Sequence, residues 1–144
     1  MSKKIKLLFL CTGNSCRSQM GEGWARALRG DVIDVYSAGI ETHGLNPNAV
    51  AVMQEAGVDI TSQQSQHVDE FSDIEFDYVI TVCGRAHESC PMFAGNAIIK
   101  HVGCDDPPKL APEGASKEEV LNCFRRVRDE IKAYVETLPE SLEN

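Results

Sequence analysis

The sequence has little of what indicates a membrane-bound or nucleic-acid-binding protein. Only 6% of its 144 residues are aromatic, and the formal net charge is −8 at pH 7. This charge disfavours nucleic acid or an anionic membrane surface as the main partner. The apolar run at residues 7–10 is too short for a signal peptide or a membrane span. We therefore expect a cytoplasmic globular protein, in which any anion site is built from local backbone N–H groups and a few cations.

The cysteine content needs a separate explanation. The chain has six cysteines. Disulfide frameworks are typical of small secreted domains, whereas a chain of this length buries a core without cross-links. In a reducing compartment, cysteines outside the core tend to bind metal or to carry out redox chemistry. With no repeat, linker or low-complexity segment, residues 1–144 are predicted to form a single domain.

Strand and helix patterns alternate along the chain. An apolar run predicts a strand at residues 4–10, and runs rich in valine and isoleucine predict three more at 31–36, 78–82 and 97–102. Helical periodicity lies between or after these runs. The alternation implies right-handed crossovers and predicts an α/β fold, with a four-stranded parallel sheet and helices on both faces.

Three helices are predicted from periodicity and end signals. The first follows the first strand and ends near Gly30, and the second begins at residues 46–47 with an asparagine cap and a proline. The last begins at a capping box formed by Ser116 and Glu119, and Pro139 ends it.

The predicted topology places several reactive residues near one edge of the sheet. Ligands of open parallel sheets bind beyond the carboxyl ends of the strands. Cys11 directly follows the first predicted strand and Cys83 the third. If those strands are neighbours, the two thiols share this edge, and a turn after the fourth strand adds Asp105 and Asp106.

The segment from Cys11 to Ser18 predicts an oxyanion site. Small and polar residues between a strand and a helix can turn several N–H groups inward as an anion nest. Arg17 can hold two oxygens of the anion in a bidentate fork. Such surroundings lower a thiol pKa from about 8.5 to roughly 3.5–7.5, which makes Cys11 a nucleophile. The alternative interpretation of the segment is a turn at the end of a strand that contains a buried cysteine. The predicted oxyanion-binding residues are Thr12, Gly13, Asn14, Ser15, Cys16, Arg17 and Ser18.

The same segment resembles the phosphate-binding loop of the low-molecular-weight protein tyrosine phosphatases. The longer string 11–20, followed by 22–24, is more similar to their relatives, the thioredoxin-coupled arsenate reductases. The resemblance covers essentially the whole chain, because 36–44, 105–107 and 126–131 also match. It implies a four-stranded parallel sheet flanked by helices, and reduction of arsenate to arsenite for arsenic detoxification. We expect a monomer in which phosphate or sulfate competes with arsenate.

The resemblance also implies a role for each of three cysteines. Cys11 would attack arsenate, and Cys83 would then attack the adduct, releasing arsenite and leaving a Cys11–Cys83 disulfide. Cys90 would attack Cys83 in turn, and thioredoxin would reduce the Cys83–Cys90 disulfide. The general acid of the family is the aspartate directly before proline, here Asp106, with Asp105 as the local rival.

The sequence is also compatible with two other functions. A low-molecular-weight phosphatase needs only the thiolate and the acid, and slow phosphatase activity is expected in either case. Phosphatases of this fold carry an aromatic residue soon after the acid, whereas Pro108 and Lys109 follow here. A third hypothesis is an oxyanion-binding or zinc-stabilised module without turnover. Its zinc ligands would be Cys83, His87, Cys90, His101 and Cys104.

No cofactor or resident metal is predicted. Some members of the family bind potassium through residues that match Asn14, Glu22 and Ser37 together with an aspartate. Gln66 occupies the position of that aspartate here, and losing a carboxylate weakens a site for a hard cation. Cys123 lies beside the apolar stripe of the last helix and is predicted to belong to the core.

Overall fold

The computed structural model describes residues 4–11, 16–42, 44–71, 73–82, 97–102, 113–138 and 140–143. Its sheet has four strands in the order β2-β1-β3-β4, and every neighbouring pair is parallel. The predicted α/β fold with a four-stranded parallel sheet is therefore confirmed. The strands are β1 (Ile5–Cys11), β2 (Ile33–Gly39), β3 (Tyr78–Thr81) and β4 (Ile98–His101).

The central strand β1 explains the apolar run near the start of the chain. It pairs with β2 on one side and with β3 on the other, and its residues from Leu7 to Cys11 are buried. A parallel strand that is buried on both faces is expected to be continuously apolar rather than alternating. Cys11 is the last residue of this strand, which therefore ends one residue later than the predicted end at Leu10.

The helices begin where the local signals predict. In helix α2 (Pro47–Glu55), the Asn46 side chain accepts hydrogen bonds from two backbone N–H groups, and Pro47 occupies the first turn. Helix α3 (Lys117–Glu136) begins at the capping box of Ser116 and Glu119. Helix α1 (Arg17–Arg29) follows Cys16. Short 3₁₀ helices span Val68–Phe71 and Glu140–Glu143, and among the described residues no helix is long and apolar enough to cross a membrane.

Helices α1 and α3 pack together around the single tryptophan. Trp24 is 4% exposed, and its Nε1 donates a hydrogen bond to the Arg128 carbonyl oxygen at 3.1 Å. The Lys132 ammonium group lies 5.4 Å from the centroid of the indole ring. These contacts join the middle of α1 to the middle of α3. The hydrogen bond also gives the buried indole N–H the partner that it needs.

Two arginines tie α3 to its neighbours. The Arg29 guanidinium donates to the carbonyl oxygens of Leu138 at 2.8 Å and Glu136 at 2.9 Å, which joins the carboxyl ends of α1 and α3. Arg125 forms a bidentate pair with Glu55, with both N···O distances at 2.8 Å. Hydrogen bonding from Arg125 lowers the pKa of Glu55 below its usual value.

Glycine at position 23 allows a close approach to α1. A Cβ atom there would lie 2.7 Å from Cγ2 of Ile60, which is fully buried. A side chain at this position would therefore push the segment after α2 away from α1.

Candidate active site

The carboxyl edge of the sheet brings the ends of three strands together. Leu10 pairs with Thr81, and Thr81 pairs with His101, in the strand registers. The Val82 N–H donates to the Leu10 carbonyl oxygen at 3.0 Å, and the Val102 N–H donates to the Thr81 carbonyl oxygen at 2.8 Å. The first and third strands are neighbours, which meets the condition under which the sequence brings Cys11 and Cys83 to one edge. We call this row of residues, Leu10, Thr81 and His101 with Val82 and Val102, the rim.

The buried thiol at the end of β1 lies beside the amino end of α1. Cys11 is 3% exposed, Cys16 is 4% exposed and Arg17 is 8% exposed, and neither cysteine is in a disulfide. The Ile40 N–H donates to the Cys11 carbonyl oxygen at 3.2 Å, which holds the strand end against β2. The position of Cys11 is thus set by the backbone of β2, with which it pairs in register at Gly39.

The amino end of α1 has the electrostatics of an anion site. Its first turn carries no acidic residue, and Arg17 is its first residue. A helix amino end carries a partial positive charge, and its first N–H groups can donate to an anion. Residues 12–15 lie outside the described residues, so the predicted anion-binding roles of Thr12, Gly13, Asn14 and Ser15 stay predictions.

A carboxylate is buried one turn further along α1. Glu22 is 7% exposed; its Oε1 accepts a hydrogen bond from Ser37 Oγ at 2.5 Å, and its Oε2 lies 2.6 Å from the Arg26 guanidinium. Glu22 and Ser37, two of the residues that match potassium ligands in some members of the family, therefore lie together. Gln66 contributes its carbonyl oxygen to the Gly39 N–H at 2.8 Å.

A buried glutamine beside the anion site has no counterpart in the sequence analysis. Gln19 is fully buried in the first turn of α1, and its Nε2 donates to the Gln64 carbonyl oxygen at 2.9 Å. Gln63 Nε2 donates both to Gln19 Oε1 at 2.7 Å and to the Gln19 carbonyl oxygen at 3.0 Å. We call these three residues the glutamine clamp, because they hold residues 63 and 64 against α1. The local sequence carries no signal for it, because the residues at helical spacing after Gln19 are Glu22, Gly23 and Arg26.

The rim contains a contact between the side chains of two of its residues. Thr81 Oγ1 lies 3.0 Å from His101 Nδ1, between the last residues of β3 and β4. From the sequence, His101 is a candidate only for the alternative zinc site. Among the described residues, no group of three or more histidine, cysteine or acidic side chains is placed to hold a metal ion.

Most of the remaining predicted residues lie outside the described part of the chain. Cys83, Cys90, Asp105 and Asp106 lie outside the described residues, as do His87 and Cys104 of the zinc alternative. Cys123 is described, and the prediction for it was wrong: the residue is half-buried. It precedes Phe124, which faces the core, and so lies at the edge of the buried stripe of α3.

A buried cysteine at the end of a central parallel strand, next to a helix that begins with a buried arginine, is the arrangement of a cysteine-dependent oxyanion enzyme. The sequence model of the family "Low molecular weight phosphotyrosine protein phosphatase" matches residues 6–144. The chain belongs to this family.

Several of the similar proteins are arsenate reductases by name. An arsenate reductase of Halalkalibacterium halodurans is 51% identical over 98% of this chain and 99% of its own length. An arsenate reductase of Bacillus subtilis (strain 168) is also 51% identical, over 95% of this chain and 99% of its own length. A solved structure described as an arsenate reductase in the phosphate binding state is 34% identical, with a TM-score of 0.73, and the match covers 93% of this chain and 95% of that one.

Proposed function

We propose that this protein reduces arsenate to arsenite by passing oxidation from Cys11 through Cys83 to Cys90. The observation that carries the proposal is the pairing of β1 with β3 at the rim, where Leu10 pairs with Thr81. Neighbouring strands lie about 4.8 Å apart. Cys11 is the last residue of β1, and Cys83 follows the last residue of β3 by two positions in the sequence, so both thiols belong to neighbouring strand ends. The similarity to two proteins named arsenate reductase, each 51% identical, supports the choice of substrate.

The first step is attack of the Cys11 thiolate on arsenic. Asp106 protonates an arsenate oxygen, which leaves as water, and a bond forms between the Cys11 sulfur and arsenic(V). The Arg17 guanidinium and the amino end of α1 favour the oxyanion, because both place positive charge beside it. Phosphate and sulfate share the tetrahedral shape of arsenate and compete for the same site.

The later steps move two electrons. The Cys83 thiolate attacks the Cys11 sulfur, a disulfide forms, and the electron pair of the sulfur–arsenic bond goes to arsenic, which leaves as arsenite. Cys90 then attacks Cys83 and releases the Cys11 thiolate. A thioredoxin dithiol reduces the Cys83–Cys90 disulfide and completes the cycle. Such a cycle requires a reducing compartment, so we place the protein in the cytoplasm.

The same thiolate and acid would also hydrolyse an activated phosphate ester slowly. That reaction needs Cys11 and Asp106 but neither Cys83 nor Cys90. It therefore separates the two halves of the proposal experimentally.

The test is arsenate turnover coupled to thioredoxin, measured with Cys83→Ser and with Cys123→Ser as the matched control. We expect turnover in the wild type and in the Cys123 variant, and no release of arsenite by the Cys83 variant, which stops at the adduct between the Cys11 sulfur and arsenic(V). Hydrolysis of p-nitrophenyl phosphate should survive in Cys83→Ser and disappear in Cys11→Ser. Full arsenate turnover by Cys83→Ser would refute the relay, and one equivalent of zinc in the purified, reduced protein would favour the metal-site alternative.

A further inference from the structure

We infer that Thr81 and His101 form a positioning pair that fixes the end of β3, and so aims the chain that continues to Cys83. The inference rests on the proposed thiol relay. Thr81 is the last residue of β3 and fully buried, whereas His101 is the last residue of β4 and exposed. Their side chains meet at 3.0 Å between Oγ1 and Nδ1, which links two strands that also pair in register at this point.

The pair lies where the backbone ladder of the sheet ends. The Val82 N–H bonds to Leu10 on β1, and the Val102 N–H bonds to Thr81 on β3. Val82 is directly followed by Cys83 in the chain. The Thr81 hydroxyl also lies 3.4 Å from the Lys100 carbonyl oxygen, so the threonine contacts β4 with its side chain as well as its backbone.

The chemistry of the relay makes this position sensitive. Attack of one sulfur on another requires the reacting atoms to approach to about 3–3.5 Å along a defined line, and a misplacement of 1 Å can cost 10²-fold in rate. Cys11 itself pairs with β2, through Gly39 in the strand register and through the Ile40 N–H. Loss of the Thr81–His101 contact should therefore slow the Cys83 step more than the chemistry at Cys11.

The experiment compares Thr81→Val, which removes only the hydroxyl, with Thr81→Ser, which retains it. In a single turnover with arsenate, Thr81→Val should form the Cys11–Cys83 disulfide about tenfold more slowly, and Thr81→Ser should stay within about twofold of the wild type. The KM for arsenate and the hydrolysis of p-nitrophenyl phosphate should change less than threefold in both. Thr137→Val is the matched control for replacing a threonine hydroxyl with a methyl group. Thr137 lies at the carboxyl end of α3, where its hydroxyl donates to the Tyr134 carbonyl oxygen.

The partner histidine gives a second, independent measurement. His101→Asn places an amide near the position of Nδ1 and should retain most of the rate, whereas His101→Leu should resemble Thr81→Val. The double variant Thr81→Val/His101→Leu should be no slower than either single variant, because both remove the same contact. Independent, multiplying effects would overturn the inference, as would equal losses of disulfide formation and phosphate-ester hydrolysis.

The two proposals fail in different ways. If Cys83→Ser turns over normally, the relay itself is wrong. If Cys83→Ser is inactive but Thr81→Val forms the disulfide at the wild-type rate while remaining folded by circular dichroism, only the positioning pair is wrong.

Discussion

Replacement of Gln19 by glutamate tests the glutamine clamp with almost no change of shape. The wild-type side chain donates from Nε2 to the Gln64 carbonyl oxygen and accepts at Oε1 from Gln63, and it is fully buried. In Gln19→Glu the acceptor remains but the donor is lost. At neutral pH a carboxylate oxygen then faces the carbonyl oxygen of Gln64, inside the protein.

The expected cost follows from these contacts. A buried group left without its hydrogen bond costs about 1–3 kcal/mol, and the buried charge adds to this. We expect Gln19→Glu to lower the free energy of unfolding at pH 7 by about 3 kcal/mol. At roughly 3 °C per kcal/mol for a chain of this size, Tm falls by about 9 °C. Burial disfavours the charged form and raises the pKa of the introduced carboxyl, so the loss should shrink as the pH falls and the acid regains a donor.

The assay is urea unfolding followed by circular dichroism at pH 7 and at pH 5. Gln54→Glu is the matched control, because Gln54 is exposed on α2 and the same substitution there should change stability by less than about 0.5 kcal/mol. The m-value should be the same in all three proteins. A midpoint for Gln19→Glu that equals that of the control would show that the clamp does not hold residues 63 and 64 to α1.

Three further predictions concern packing and ion pairs. Gly23→Ala places a Cβ atom 2.7 Å from Cγ2 of buried Ile60. We expect the free energy of unfolding, measured in urea, to fall by about 1–3 kcal/mol despite the better helix propensity of alanine. Wild-type stability would mean that α1 and the segment after α2 move apart without cost. Arg29→Met keeps an aliphatic side chain but loses the hydrogen bonds to the carbonyl oxygens of Glu136 and Leu138 at the end of α3. The free energy of unfolding should fall by about 1.5–3 kcal/mol, and an unchanged Tm would contradict this. Arg125 lowers the pKa of Glu55 in the folded protein, so the pair stabilises at pH above the usual value of 4.5 and loses this contribution as the pH falls through the lower folded value. Unfolding curves of the wild type and Glu55→Gln should therefore converge in acid, and curves that stay parallel from pH 7 to pH 3 would contradict the pairing.

The features that could be predicted from the sequence are those that depend on neighbours along the chain. The capping box of Ser116 and Glu119 joins residues within one helical turn, and the asparagine cap of α2 is equally local. The apolar run of β1 reports its burial on both faces directly. A parallel sheet puts the carboxyl ends of its strands at one edge, so the sequence could place Cys11 at that edge. It left open which strands are neighbours, and therefore which residues share the rim.

The features that sequence reasoning missed are side-chain contacts between distant segments. Gln19 and Gln63 are 44 positions apart, and Thr81 and His101 are 20 positions apart. A buried glutamine has the same letter as an exposed one, and its role depends on which carbonyl oxygens the fold brings to it. Cys123 shows the same limit, because a helical stripe defines the centre of a buried face more sharply than its edge.

The burial of Trp24 between α1 and α3 gives the protein a built-in optical probe. It is the only tryptophan in the chain, so the ultraviolet fluorescence of the indole comes from one known place. The emission shifts to longer wavelength when the contact between the two helices opens and water reaches the ring. This matters for a protein with six cysteines, because attaching a fluorescent dye to a thiol would consume the groups whose reactions are to be followed. Unfolding can thus be observed with every sulfur atom left unmodified.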